Sequence, residues 1–309
     1  MTSSLPSRDG VGPSCVGLPV GPWRTLIDFL TQRFPAISRA EWLDRMQRGA
    51  VLDEQGCALA ADQSYLAHTR VYYYRHLSAE LPIPFEAAVL FQDEHLVVAD
   101  KPHFLPVTPS GRYLQETLLV RLRLKLALPD LTPVHRIDRD TAGLVLFSVL
   151  PQTRNAYAAL FRERRIVKHY EAIAPWRADL TLPRVQRSRI VAGDSFMTMQ
   201  ELPGTANAET HMALLAQQGG LARYALSPVT GRRHQLRVQM AGLGLPLVND
   251  FIYPTLSPEC PPGESPDYSR PLQLLARSLA FTDPVTGQSR QFESRRMLQD
   301  LAALAALAA

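Results

Sequence analysis

The sequence predicts an α+β fold, a largely antiparallel mixed sheet flanked by helices, with a small helical module ahead of it. Three observations carry this. Strand-like runs separated by turn residues recur from residue 88 onward, and their balance against the helical patterns favours a sheet-centred domain. Two such runs, 272–281 and 289–292, flank Asp283-Pro-Val-Thr-Gly287 and read as a hairpin. Ahead of the domain, residues 23–75 hold two short helices followed by extended segments, and Leu81-Pro-Ile-Pro84 behind them reads as an extended linker. A chain of 309 residues accommodates one large domain, one small one and a substantial core.

The elements follow in chain order. Residues 1–22 are rich in Ser, Pro and Gly and read as a disordered tail. The small domain covers 23–80. Leu26, Phe29, Leu30 and Phe34 recur at helical spacing until Pro35. Ser38 with Glu41 makes a capping box for a second helix that carries Trp42, Leu43 and Met46 and closes at Gly49. The linker is 81–87 and the large domain 88–296. Strands are expected at 88–91 and 96–99, and a helix at 114–126 from leucines at 114, 118, 119, 122 and 126. An uncharged run over 142–150 predicts a buried strand. A helix over 151–165 follows, with Tyr157, Leu160 and Phe161 on its buried side, then a strand at 168–173. Residues 176–222 suggest only short strands and a basic loop. A strand at 223–228 and a turn at Thr230-Gly231 precede a helix from 233 to about 243, capped by Gly244 with Pro246 beyond. A polar loop over 254–269 leads to the hairpin, and residues 297–309, rich in Leu and Ala, are expected as a C-terminal helix.

Composition narrows the classes of function. Apolar residues make up 46% and charged residues 20%, ordinary values for a globular chain. No apolar run approaches the length of a membrane span, and the N-terminus lacks the basic-then-apolar order of a signal peptide. A cytoplasmic protein without a membrane partner is therefore expected. Cys15, Cys57 and Cys260 are too scattered for a disulfide framework or a zinc site. Net charge is only +4, yet lysine occurs only at Lys101, Lys125 and Lys168, and the remaining cations are arginine. The arginines cluster, at 162, 164 and 165, at 184, 187 and 189, and at 232, 233 and 237. The bland account of this usage is a GC-rich genome. The local patches on a nearly neutral chain also suit a polyanion.

The densest group of titratable residues is Pro133-Val-His-Arg-Ile-Asp-Arg-Asp-Thr-Ala-Gly-Leu-Val-Leu146, at the mouth of the predicted buried strand. Asp138, between Arg136 and Arg139, reads as a carboxylate held for use as nucleophile or base. Asp140, followed by Thr141 and Gly143, reads instead as a turn or cap residue. A glycosidase pair of Asp138 and Asp140 fits poorly, because residues two apart lie too close to flank a glycosidic bond. In Thr230-Gly-Arg-Arg-His-Gln-Leu-Arg-Val-Gln-Met240, Arg233 and Arg237 share one helical face, and apolar neighbours favour burial of Arg237. A buried arginine needs an acid, and Asp138 is the candidate. Tyr170, in a strand, reads as core on spacing alone.

Five ordered motifs resemble those of the RluA family of pseudouridine synthases, over residues 88 to 293. His135-Arg-Ile-Asp-Arg-Asp-Thr-Ala-Gly-Leu144 is similar to the family's central His-Arg-Leu-Asp signature. Asp93-Glu-His-Leu-Val-Val-Ala-Asp-Lys-Pro102 with Leu105-Pro106-Val107 resembles the opening motif, and Lys168-His-Tyr170 with Ala172 the tyrosine motif. Thr230 to Arg237 and Arg270-Pro-Leu-Gln-Leu-Leu-Ala276 resemble the remaining two. Residues 23–75 resemble the αL RNA-binding module of a small-subunit ribosomal protein, with Arg39, Arg45 and Arg48 on its helices.

The resemblance implies the pseudouridine synthase fold and isomerisation of uridines in ribosomal or transfer RNA by a monomer, with no metal or cofactor. It implies that Asp138 is the catalytic aspartate, attacking either the uracil ring or the anomeric carbon. Tyr170 would pack on the base and assist proton removal, and Arg237 would pair with Asp138. Arg136 would fill the space vacated by the flipped uridine. Leu274 would line the base pocket, and His135 and Arg233 would contact substrate. The chain departs from the family pattern at Ala142, Arg233, Gln239, Leu245, Asn249, Leu275 and Arg277. That drift keeps open an alternative, an RNA-binding protein or RNA chaperone on the same fold with little catalysis.

Overall fold

The computed structural model describes residues 5–77, 80–258, 260–261, 264 and 267–308. The chain divides into two compact units, one of residues up to 80 with 109–115, the other of 81–108 with 116 onward.

In the first unit β1 (Ser14–Gly17), α1 (Leu26–Arg33), α2 (Arg39–Gln47), β2 (Val51–Leu52) and β3 (Arg70–Tyr73) follow in order. Both helices start where side chains close the free N–H groups. Thr25 and Asp28 form a capping box on α1, and Ser38 and Glu41 form one on α2. The helices bury Leu26, Phe29, Leu30, Trp42 and Met46 against Val51, Val71 and Tyr73. The strands lie in the antiparallel order β1-β3-β2.

The expected disordered tail is corrected here: Ser14–Gly17 is a strand paired with β3, and Leu18 is buried behind it. Ser-Cys-Val-Gly has no apolar alternation. The pairing is backbone-driven, so no side-chain pattern announced it. The helix arginines are largely spent. Arg39 pairs with Asp28 at 2.8 Å, Arg48 with Asp44 at 3.0 Å, and Arg45 is buried beside the Trp42 ring. Residues 109–115 join this unit because Glu80 accepts from the Leu114 and Gln115 N–H groups and Arg75 donates to the Pro109 carbonyl.

The second unit is organised on one mixed sheet. Its elements are β4 (Ala88–Gln92), β5 (Leu96–Lys101), α3 (Leu118–Leu126), β6 (Thr132–Pro133), β7 (Ala142–Ser148), α4 (Arg154–Arg162), β8 (Val167–Pro175), β9 (Arg184–Ala192), β10 (Met199–Leu202), β11 (Ala208–Gln218), β12 (Leu221–Pro228), α5 (Gln235–Gly242), β13 (Leu274–Thr282), β14 (Ser289–Glu293) and α6 (Leu301–Ala308). The strand order is β10-β9-β11-β12-β8-β13-β7-β5-β4, with β14 on β13 and β6 on β7. Every pairing is antiparallel except β13 with β7. This is the α+β, mostly antiparallel architecture read from the sequence. Beta-7 is buried at every position, which explains its uncharged run.

Four expectations in this unit need correction. Residues 176–222 hold the long strands β9 and β11; their exposed sides carry arginines and glutamines, which masked the alternation. Alpha-3 begins at Leu118, because Thr117 caps it. Alpha-6 is confined to Leu301–Ala308, and residues 294–300 carry no helix. The 81–87 segment is docked: Arg121 donates to the Ile83 and Phe85 carbonyls, and Ile83 is buried.

Candidate active site

Asp138 lies in the loop between β6 and β7, and backbone contacts hold that loop in place. The Lys101 ammonium, fully buried at the end of β5, donates to the Pro102 carbonyl at 2.9 Å and the Arg139 carbonyl at 2.8 Å. Burial lowers its pKa to about 7, against the opposing pull of Asp140 and Asp138. His103 Nδ1 donates to the Asp140 carbonyl at 2.7 Å. Asp140 itself is taken by Arg139, with Nε–Oδ1 at 2.9 Å. Burial would raise its pKa, but Arg139 overcomes this and lowers it. Asp138 is left as the carboxylate facing the cleft, with 28% of its side chain exposed. Gly143, with φ at +110°, starts β7 where it runs beside β13; a Cβ there would collide with the Ala276 backbone.

The partner of Asp138 comes from α5. Arg237 Nη1 donates to Asp138 Oδ2 at 3.2 Å, and only 2% of the arginine side chain is exposed. The other side of the guanidinium is clamped by Asp250, Nε to Oδ2 at 2.8 Å and Nη2 to Oδ1 at 2.6 Å, and Asp250 is fully buried. Burial opposes the charge on Arg237, but Asp250 and Asp138 together raise its pKa above the ordinary arginine value. One cation thus serves two carboxylates, so the trio is net negative and Asp138 is not neutralised within it. Alpha-5 is itself positioned by a buried polar ladder. Thr230 donates to Gln235, Gln235 to Thr210, Thr210 to Gln239, and Gln239 to Ser188.

His234 and Tyr253 complete this side. His234 sits at φ +53°, with Nε2 3.8 Å from Asp138 Oδ1. The Tyr253 hydroxyl lies 2.9 Å from His234 Nδ1 and accepts from the Met199 N–H at 2.8 Å. Burial lowers the His234 pKa, although the Asp138 charge pulls the other way. Asp250, His234 and Tyr253 were not singled out in the sequence. The available signal was that an arginine this deeply buried calls for more than one acid, and Asp250 stands beside Asn249 in the segment after the helix.

A cleft of about 130 Å³ opens over Asp138. Arg136, Tyr170, Arg237 and Leu274 all line it, together with Lys168. Tyr170 on β8 is held opposite Ala276 on β13. Burial, then the Asp138 charge, raises the Tyr170 pKa and keeps it a phenol. Lys168 donates to the Thr230 carbonyl at 3.0 Å, and burial lowers its pKa to about 8.

One expected substrate contact falls elsewhere. His135 is a packing residue: its Nε2 accepts from the Leu146 N–H and its ring stacks on Phe161 at 4.4 Å. Burial lowers its pKa to about 3, so it is neutral. Arg233 lies at the rim, its guanidinium over the Phe196 ring. The departures Leu245, Gln239 and Leu275 are fully buried. Among the described residues no group of His, Cys, Asp or Glu is arranged to hold a metal ion, and no helix is long and apolar enough to cross a membrane.

The chain is similar to known proteins in sequence and in fold. The RNA pseudouridylate synthase family model matches residues 95–242. The dual-specificity RNA pseudouridine synthase RluA of Salmonella typhi is 31% identical over 216 residues, which span 66% of this chain and 91% of that protein. The tRNA pseudouridine(31) synthase of Saccharomyces cerevisiae is 25% identical over 277 residues, covering 75% of this chain and 68% of its own length. Among solved structures, human RNA pseudouridylate synthase domain containing 4 superposes with a TM-score of 0.53 at 26% identity, covering 70% of this chain and 90% of that one.

Proposed function

Since the chain belongs to the RluA family of RNA pseudouridine synthases, we propose that Asp138 carries its chemistry, with Arg237 and Tyr170 as partners. The enzyme isomerises uridine in ribosomal or transfer RNA to pseudouridine. The bond between uracil N1 and the sugar C1′ breaks, a bond from C5 to C1′ forms, the C5 proton is lost and N1 takes up a proton. The observation that carries the assignment is the cleft carboxylate held on a buried arginine that a second, fully buried carboxylate fixes in place.

Each role follows from the surroundings. The Asp138 carboxylate is oriented by one hydrogen bond from Arg237 to Oδ2, which leaves its second oxygen to act as a nucleophile. Desolvation strengthens its field on a bound base. Tyr170 packs against the base as a neutral phenol. For it to accept the C5 proton, its own proton must first pass to Asp138. Arg136, exposed at the mouth, occupies the stack position left by the flipped uridine. Leu274 supplies an apolar wall. The first unit contributes RNA contacts, supported by its two capped helices and small sheet, although Arg39 and Arg48 are already paired with acids.

The test is tritium release from RNA transcripts labelled at uridine C5, followed by mapping of pseudouridine. Wild type releases one tritium per pseudouridine formed. Asp138→Asn keeps the fold and RNA affinity but loses turnover by roughly three orders of magnitude or more, as expected when a covalent catalyst is removed. Undiminished release by that variant would refute the assignment.

A further inference from the structure

Phe196 is exposed to 87%, more than any other large apolar side chain among the described residues, and no other Phe, Tyr or Trp there is exposed. A single exposed apolar residue is ordinary on a protein surface. Its setting is not. Phe196 stands in the turn between β9 and β10, and that turn is rigid. The Gly193 N–H donates to the Thr198 carbonyl at 3.1 Å, and the Thr198 N–H to the Ser195 carbonyl at 2.9 Å. The Met197 N–H donates to Ser195 Oγ. A Cβ at Gly193 would strike the Thr198 hydroxyl, so the tight path requires glycine.

The turn is fastened to the reaction centre. Met199, first residue of β10, donates to Tyr253, whose hydroxyl reaches His234 beside Asp138. The residue before His234 is Arg233, whose guanidinium carbon lies 5.2 Å from the centre of the Phe196 ring. Arg189 and Arg232 are exposed and donate to the Pro203 and Asn207 carbonyls, and among the described residues neither forms an ion pair, although the turn itself also carries the exposed acid Asp194.

We propose that Phe196, backed by Arg233, is a stacking platform for an RNA base next to the target uridine. Arg136 fills the gap left by the flipped uridine, but a neighbouring base splayed from the strand still needs a face to lie on. Phe196 supplies that face, and the arginines meet the adjoining phosphates. The proposal rests on the RNA isomerase reading above.

The test compares wild type with Phe196→Ala, Phe196→Trp and Phe196→Leu by tritium release from C5-labelled ribosomal and transfer RNA transcripts. A parallel measurement follows anisotropy of a fluorescent oligouridylate. Phe196→Ala should raise KM and the oligouridylate Kd roughly tenfold, the range for losing one base–aromatic stack, and leave kcat near wild type. Phe196→Trp should restore both, and Phe196→Leu should not. Unchanged KM and Kd in Phe196→Ala, or rescue by leucine equal to that by tryptophan, would overturn the platform. A wild type that releases no tritium would sink the isomerase reading instead, and the oligouridylate comparison would still decide on Phe196.

Discussion

Asp250 offers the sharpest test of how the site is built, and Asp250→Asn is the perturbation of choice. The side chain is fully buried and accepts two hydrogen bonds from Arg237, at 2.8 and 2.6 Å. Its Oδ1 also accepts from the Ile252 and Tyr253 N–H groups. Asparagine keeps one oxygen, so the backbone bonds survive. Its amide then faces the Arg237 Nε–H, donor against donor, and one negative charge is gone. Breaking a buried pair from one side costs about 3–5 kcal/mol; because Arg237 retains Asp138, roughly 3 kcal/mol is expected. For a unit of this size that lowers the unfolding midpoint by about 6–12 °C. Function changes through charge. With Asp250 neutral, the single arginine pairs one-to-one with Asp138, whose carboxylate becomes a weaker nucleophile, and kcat falls by roughly tenfold or more while KM changes little. Thermal unfolding and tritium release measure the two effects. A midpoint within about 2 °C of wild type together with unaltered kcat would refute the clamp, since a 3 kcal/mol loss cannot hide in so small a shift.

Three further outcomes follow from groups already described. Lys101→Met strips the donors from the Pro102 and Arg139 carbonyls, so the Asp138 loop loosens and kcat drops by roughly tenfold, with each orphaned carbonyl costing about 1–3 kcal/mol. Because folding lowers the Lys101 pKa to about 7, the unfolded chain binds more protons between about pH 7 and its ordinary value near 10.5. Lys101 therefore makes stability rise with pH in that window, and denaturant midpoints of Lys101→Met should lack the rise. His135 runs at lower pH: with its folded pKa near 3, it adds stability above its ordinary pKa of 6.5 that is lost on acidification, about 1.4 kcal/mol per pH unit below 6.5. His135→Phe should flatten the acid limb of the stability profile; an unchanged slope would show that His135 is not the group being titrated. In the first unit, Trp42→Ala removes a fully buried ring and should cost about 3–5 kcal/mol, read as earlier unfolding by tryptophan-independent far-UV dichroism.

Much of this site was legible in the sequence because its parts are local. Asp138, Arg136 and Gly143 sit in one run whose charges end abruptly at an uncharged strand, and the structure places that break at the mouth of β7. The helix cap at Ser38 likewise acts over three residues. Asp250 was hidden because its partner lies 13 residues away in sequence, and the burial read for Arg237 had already been assigned an acid, Asp138. Phe196 was hidden for a different reason: β9 and β10 lie at a sheet edge with polar exposed faces, so the hairpin that presents it gave no alternation strong enough to place a turn. His135 shows the opposite error. A histidine inside a functional motif reads as a contact residue, yet the fold uses it to satisfy a backbone N–H and cover Phe161.

The lone parallel pairing in the sheet has a temporal meaning. The strands from β10 to β8 form one antiparallel block and those from β7 to β4 another, and β13 alone hydrogen-bonds the two together. Asp138 belongs to the second block, whereas Tyr170 lies in the first and Arg237 on the helix that follows it. A chain emerging from the ribosome can assemble each block as its hairpins appear, but the two blocks are not hydrogen-bonded into one sheet until residues 274–282 have been made and threaded between them. Catalytic competence is thus deferred until residues 274–282 have emerged and taken their place in the sheet.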